Sequence, residues 1–330
     1  MIFSLGLVQQ ILILAAFVVV SVALISRFIF PLVQNKIQLL PARLQANILI
    51  FICTLPLLMV ILTLGISFFP NLLNVFGFGP AHCDIHANSH SHLCTVLEPL
   101  PMGHWLTWLS IASSLVIIAS GAVLLRDIMR SYRFGRRFNA ADKVFVKQDV
   151  WLVKDDCPFA FITGLIKPIV FISTALKKNL SDRQLDIVLA HEGDHKKYHD
   201  VLRHTIARAV SLLHFPSIRK TLLAQLSLAT EKACDETAAV MTGNRVEVAE
   251  TLVAIERLYR GDFIATGSVA LGVGGNTVVE RVKTLLDDTE GRSFNANWFF
   301  GTLALVLFTV SVNSLQLHRM IENFLDQFPH

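Results

Sequence analysis

The sequence predicts an α-helical polytopic membrane protein: four spans, with one polar α+β insert between the third and the fourth. Three observations carry this. Of the 330 residues, 53% are hydrophobic and only 16% charged, and the mean hydropathy of +0.55 is too high for an ordinary soluble enzyme. The apolar residues are clumped at 5–25, 47–69, 105–125 and 297–317, each run long enough to cross a hydrocarbon core of about 30 Å. The charged residues fall mainly between the third and fourth runs, at 126–294.

The first run has no basic segment before it and no small-residue cleavage site, so it reads as an anchor and not a signal peptide. The first connecting loop carries Arg27, Lys36 and Arg43, whereas the second, 70–104, carries no Lys or Arg. The insert opens on Arg126, Arg130, Arg133, Arg136 and Arg137. The positive-inside rule therefore predicts a cytoplasmic first loop and insert, with the second loop and both termini outside. The expected organisation is 1–125, three spans with an outer loop at 70–104; 126–294, the cytoplasmic insert; and 295–330, the fourth span with a short outer tail. The arginine cluster abuts a span, so it marks the membrane face and implies no direct contact with nucleic acid.

Five cysteines are too few for a disulfide framework. Cys83 and Cys94 lie in the outer loop, where an oxidising compartment would let them pair. His82, His86, His90, His92 and His104 share that loop, a composition able to bind a soft or borderline metal and sense it, although no spacing matches a defined site. Cys157 and Cys234 fall in the insert and are expected to be reduced, and Cys53 is buried in a span.

Within the insert, KVFVK, DVWLV, FAFITGL and PIVFIST read as strands of a small antiparallel sheet whose edge could hold an extended peptide. LSDRQLDIVLAHEGDHKKYHD follows. Ser181 and Gln184 form a capping box, and Leu185, Val188 and Leu189 supply an apolar face at helical spacing. On that helix His191 and His195 sit one turn apart, so two imidazoles can reach one ion. Glu192 projects beside them without ligating, where a base stands to take a proton from water. Further helical patterns follow at 220–243, ended by Gly243-Asn244, and at 246–260 and 276–288.

A catalytic zinc takes three protein ligands. The extended HExxHxxGxxH pattern needs glycine at 198 and histidine at 201, where this chain has Tyr198 and Val201. The alternative is a carboxylate on a later helix, and Glu231-Lys232-Ala233-Cys234-Asp235 supplies it. Glu231 and Asp235 are one turn apart, Glu231 as third metal ligand and Asp235 as acceptor for the free N–H of a ligating imidazole. Glu236 is a rival, about 100° further round. Asp200 is placed to anchor the helix end or to support a ligand. His204, His214, Tyr198 and Tyr259 are unranked candidates for polarising a substrate carbonyl.

PFAFITGLIKPIVFIST, LSDRQLDIVLAHEGDH and EKACDETA, with VAETLVAIERL and VERVKTLL after them, resemble the membrane zinc metallopeptidases of the beta-lactam-sensing antirepressor type (BlaR/MecR-like). The resemblance covers about 126–290, and the four-span layout matches in outline. It implies a gluzincin-like domain on the cytoplasmic side with Zn2+ bound by His191, His195 and Glu231, and Glu192 as the base. The family's sensors carry a penicillin-binding domain after the last span, whereas this sequence runs to His330. The expectation is a zinc-dependent metalloendopeptidase of the inner membrane that transduces another signal by cutting a peptide or protein substrate, such as a cytoplasmic transcriptional repressor. The alternatives are a quality-control protease of the HtpX or CAAX type, and a metal-responsive receptor whose peptidase-like domain only binds a partner.

Overall fold

The computed structural model describes residues 5–75, 101–139, 143–147, 150–262 and 276–287. It is mostly helical. Among the described residues, three helices are long and apolar enough to cross a membrane: α1 (Leu5–Ile37), α2 (Ala42–Val75) and α3 (Trp105–Asn139). Each overruns the apolar stretch that predicts it: α1 continues to Ile37 with Pro31 inside it, and α3 continues to Asn139 through a segment that holds no proline. α3 reaches about 52 Å at 1.5 Å per residue, which carries its arginine cluster beyond the bilayer core. Leu115, Ile117, Ile118 and Leu125 stay exposed on it, a surface suited to lipid. A buried bond from Gln9 Nε2 to Thr107 Oγ1, 3.0 Å, ties α1 to α3.

The fourth apolar run at 297–317 lies outside the described residues, as do Cys83, Cys94 and every histidine of 70–104 except His104. His104 Nδ1 accepts from the Leu106 backbone N–H at 3.3 Å, so it closes the first turn of α3.

After α3 come β1 (Lys143–Lys147), β2 (Val150–Val153), β3 (Ala160–Thr163) and β4 (Ile169–Ser173). The sheet is mixed and not antiparallel throughout: its order is β1-β2-β4-β3, with β2 parallel to β4. The cause is local at both ends of β4. Gly164, at φ 102°, with a Cβ position only 2.5 Å from Lys167 O, closes a β3–β4 hairpin that only glycine allows. Thr174 Oγ1 then donates to Asp155 O at 3.0 Å and accepts from Asp155 N, holding the end of β4 against the end of β2. β3 is left as the outer strand.

The chain continues through α4 (Thr174–Asn179), α5 (Asp182–Lys197), α6 (Asp200–Val210) and a 3-10 turn at Ser211–Leu213 to α7 (Pro216–Thr242), α8 (Arg245–Asp262) and α9 (Asn276–Leu286). The capping box at the start of α5 forms in full: Ser181 Oγ accepts from Gln184 N at 3.2 Å and Gln184 Oε1 from Ser181 N at 3.0 Å. α5 is packed on two sides. Leu185, Val188 and Leu189 lie on the sheet with Val170 and Ile172. Ile187 and Ala190 meet Ala238, Val248 and Leu285 from α7, α8 and α9.

The largest core joins the membrane helices to the insert. Phe30 and Ile37 of α1 and Ala46, Leu49 and Cys53 of α2 pack with Ala207 of α6 and with Ile218, Leu222, Leu226 and Ala229 of α7. Leu226 has 0% exposure there. Leu226→Ala should therefore cost about 2–5 kcal/mol, read as a lower apparent melting temperature of the full chain in lipid nanodiscs by scanning fluorimetry. A melting temperature unchanged from wild type would show that this core does not hold the two parts together.

Candidate metal centre

α5 and α7 cross so that one turn of each meets the other. From α5 come His191 and His195, whose rings lie 4.9 Å apart at 81°. From α7 comes Glu231, with Oε2 3.5 Å from His191 Nε2 and Oε1 3.6 Å from His195 Nε2. A tetrahedral ion with bonds of 2.0–2.1 Å needs donor atoms about 3.4 Å apart, so the separation of carboxylate and imidazoles suits one.

The far nitrogens also face carboxylates. His195 Nδ1 is 3.0 Å from Asp200 Oδ2. His191 Nδ1 is 2.9 Å from Asp235 Oδ1, although its N–H is not aimed straight at that oxygen. Each imidazole is thus held from behind with Nε2 turned toward Glu231. Asp200 reaches back because the chain leaves the helix at His199, whose φ of 51° is the left-handed conformation and the only positive φ among the described non-glycine residues. A continuous helix would carry Asp200 away from the His195 face.

A second donor set overlaps the first: His191, His195 and Cys234 also present atoms within 4.8 Å of one another. The Cys234 thiol stands 3.3 Å from His195 Nδ1, behind the ring and on the side that Asp200 takes. Burial first, and then the charges of Glu231, Asp194 and Asp200, push this thiol far up, which keeps it protonated.

Charge balance explains the remaining contacts. Arg281 of α9 grips Asp235 through Nε and Nη2, both at 2.7 Å, and reaches Glu231 Oε2 through Nη1 at 3.0 Å. Burial by itself would raise the Glu231 and Asp235 carboxyls; Arg281 and His191 outweigh it and hold both well below the usual range. Asp200 is lowered in the same way by His195, Arg43 and Arg203. Burial would lower His191, but Asp235 and Glu231 raise it to about 10.

The other sequence candidates separate cleanly. Glu236 points outward, paired with Arg245 at 3.3 Å, and stays away from the imidazoles. His214 Nε2 meets Ile52 O of α2 at 3.1 Å, and Tyr198 lies under the Arg43 guanidinium at 3.9 Å. His204 is bonded to Thr230 Oγ1 at 3.2 Å, next to Glu231 in sequence. Tyr259 accepts from Ala160 N of β3 at 3.4 Å, and its buried phenol is raised by that burial and by the charge of Glu192. The sequence reading missed Arg281, Arg43 and Asp194. Arg281 had one usable signal, a charge four residues before Leu285 on the apolar face of α9.

With His191 held protonated between two carboxylates, an ion must displace its proton. Metal uptake at pH 7 should release protons, and affinity should rise with pH up to about 10. Calorimetric titration in two buffers of different ionisation enthalpy measures this directly; heats independent of buffer would contradict it.

Among known proteins, the chain is similar to a protease named Protease HtpX homolog 2 from Methanosarcina mazei, at 38% identity over 78 residues. That alignment covers 23% of this chain and 26% of the relative, so the chain spans about a quarter of that curated protein. No solved structure matches. A family model described as BlaR1 peptidase M56 matches residues 84–285, more than half of the sequence. Taken with the paired imidazoles and the apolar helices, the match identifies this chain as a membrane protein of the BlaR1 peptidase M56 family.

Proposed function

We propose that the chain is a zinc-dependent endopeptidase of the cell membrane, with its site on the cytoplasmic side and Zn2+ held by His191, His195 and Glu231. The observation that carries this is the Glu231 carboxylate at 3.5 and 3.6 Å from the two Nε2 atoms. Cys234 is the poorer third donor, because its protonated thiol lies on the Nδ1 side of His195. Held by these residues, zinc would supply Lewis-acid chemistry, polarising the scissile carbonyl and lowering the pKa of the attacking water.

The remaining chemistry belongs to the chain. Glu192, next to His191 and half-buried, takes the proton from the water and passes it to the departing amine. Asp235 and Asp200 hold the imidazoles in the tautomer that leaves Nε2 free. β3, which packs against α5, offers its outer edge to an extended peptide, while Tyr259 occupies the N–H of Ala160 at the strand's start. The cytoplasmic placement rests on the arginines after residue 125 and their absence from 70–104. On that topology the amino terminus lies outside, and a fourth span at 297–317 returns the carboxyl terminus to the same side.

Membership in the M56 family supports a signal-transducing role, in which the substrate is a cytoplasmic regulator such as a transcriptional repressor. The similarity to an HtpX homologue supports a second reading, membrane quality control. Glu192→Ala should lower peptide hydrolysis by about 10²–10⁴-fold while bound zinc stays at one per chain. Mass spectrometry of new protein ends, wild type against Glu192→Ala cells, separates the readings. One lost cleavage in a regulator supports transduction, and many in damaged membrane proteins support quality control. Full biological output from the variant would make the domain a non-catalytic binding module.

A further inference from the structure

Asp194 is one of the two variable positions of HEGDH, yet its side chain is 1% exposed. Its partner does not come from the peptidase segment. Arg43, the second residue of α2, places Nη2 on Asp194 Oδ2, and Nη1 3.4 Å from both oxygens of Asp200. The same guanidinium lies 3.9 Å over the Tyr198 ring, and its Nη2 is 3.8 Å from the Cys234 thiol. Asp200 in turn holds His195 Nδ1 at 3.0 Å. A second link runs alongside: Arg203 meets Asn47 of α2 and, at 3.3 Å, Asp200.

We propose that Arg43 is a positioning residue through which the second membrane helix sets the orientation of His195, so that the metal centre responds to movement of the α1–α2 connection. The guanidinium is a planar fork whose two nitrogens engage carboxylates from two different helices. It therefore fixes Asp200 relative to Asp194, and with it the ring of His195. The contact sits where the short connection 38–41 enters α2, so displacement of either span end moves the fork. Asp194 and Asp200, both buried, lose their common countercharge if Arg43 leaves, a cost that keeps the fork in place at rest.

This inference rests on the metallopeptidase reading, and the test keeps the two apart. The full chain in nanodiscs is stripped of metal and titrated with Co2+, following the d–d absorption band. Arg43→Ala should weaken Co2+ binding about 10–100-fold and shift the band. Arg43→Lys, which keeps the charge without the fork, should fall between. Arg43→Ala should cost little more in an Asp200→Asn background, since it acts through Asp200. Arg27→Ala removes a different contact between a membrane helix and the insert, the bond to Ser217 Oγ at 2.9 Å, and should leave binding at wild type. The proposal is overturned if Arg43→Ala binds Co2+ with wild-type affinity and spectrum, if the losses multiply in the double variant, or if Arg27→Ala loses as much. Should Arg43→Ala fail to fold, wild-type binding by Arg43→Lys overturns it. A wild-type chain that binds no Co2+ removes the metallopeptidase reading, and this one with it.

Discussion

Burial of charge at the crossing of α5 and α7 governs the rest of the structure. Asp194, Asp200 and Asp235 are all buried, and Glu231 is mostly so, around two imidazoles. Isolated carboxylates do not persist in such a place; each must meet a cation in good geometry or become neutral. The chain meets this requirement from three directions: Arg281 on α9 holds Asp235 and Glu231, Arg43 on α2 holds Asp194 and Asp200, and Arg203 on α6 adds to Asp200. α9 and α2 are thereby pinned to the turns that carry the two imidazoles and Glu231, whatever their own propensities.

α7 makes this arrangement possible by belonging to two cores at once. Ile218, Leu222, Leu226 and Ala229 in its first half pack among α1 and α2, while Ala238 and Ala239 near its end pack with α5, α8 and α9. Glu231, Cys234 and Asp235 lie between these anchors. One helix of 27 residues, starting at Pro216 and stopped by Gly243 at φ 70°, thus joins the packing on the membrane helices to the carboxylate facing both histidines. Asp200 reaches His195 by a second route, through the left-handed His199. Both routes end on a membrane helix.

Much of the local architecture could be read from the chain alone. The capping box at Ser181 and Gln184, the one-turn spacing of His191 with His195 and of Glu231 with Asp235, and the three apolar runs described here all depend on neighbours within a few residues or on hydropathy. Glu236 stood as a rival to Glu231 on the sequence, and only the fold turns it outward to Arg245. The sheet was legible as strands but not as an order, because placing β4 between β2 and β3 depends on the Gly164 hairpin and the Thr174–Asp155 bonds together.

The sequence by itself determined that the chain is built for a membrane, that one helix carries two imidazoles and a carboxylate at metal-site spacing, and that a later helix carries the matching acid. These are properties of periodicity and composition, which no tertiary contact needs to supply. Only the tertiary structure decided which charges neutralise that acid cluster. Arg43 and Asp194 are 151 residues apart, and Arg281 and Asp235 are 46 apart. No local pattern pairs such residues; what pairs them is the requirement that carboxylates removed from water find a cation, wherever in the chain it lies.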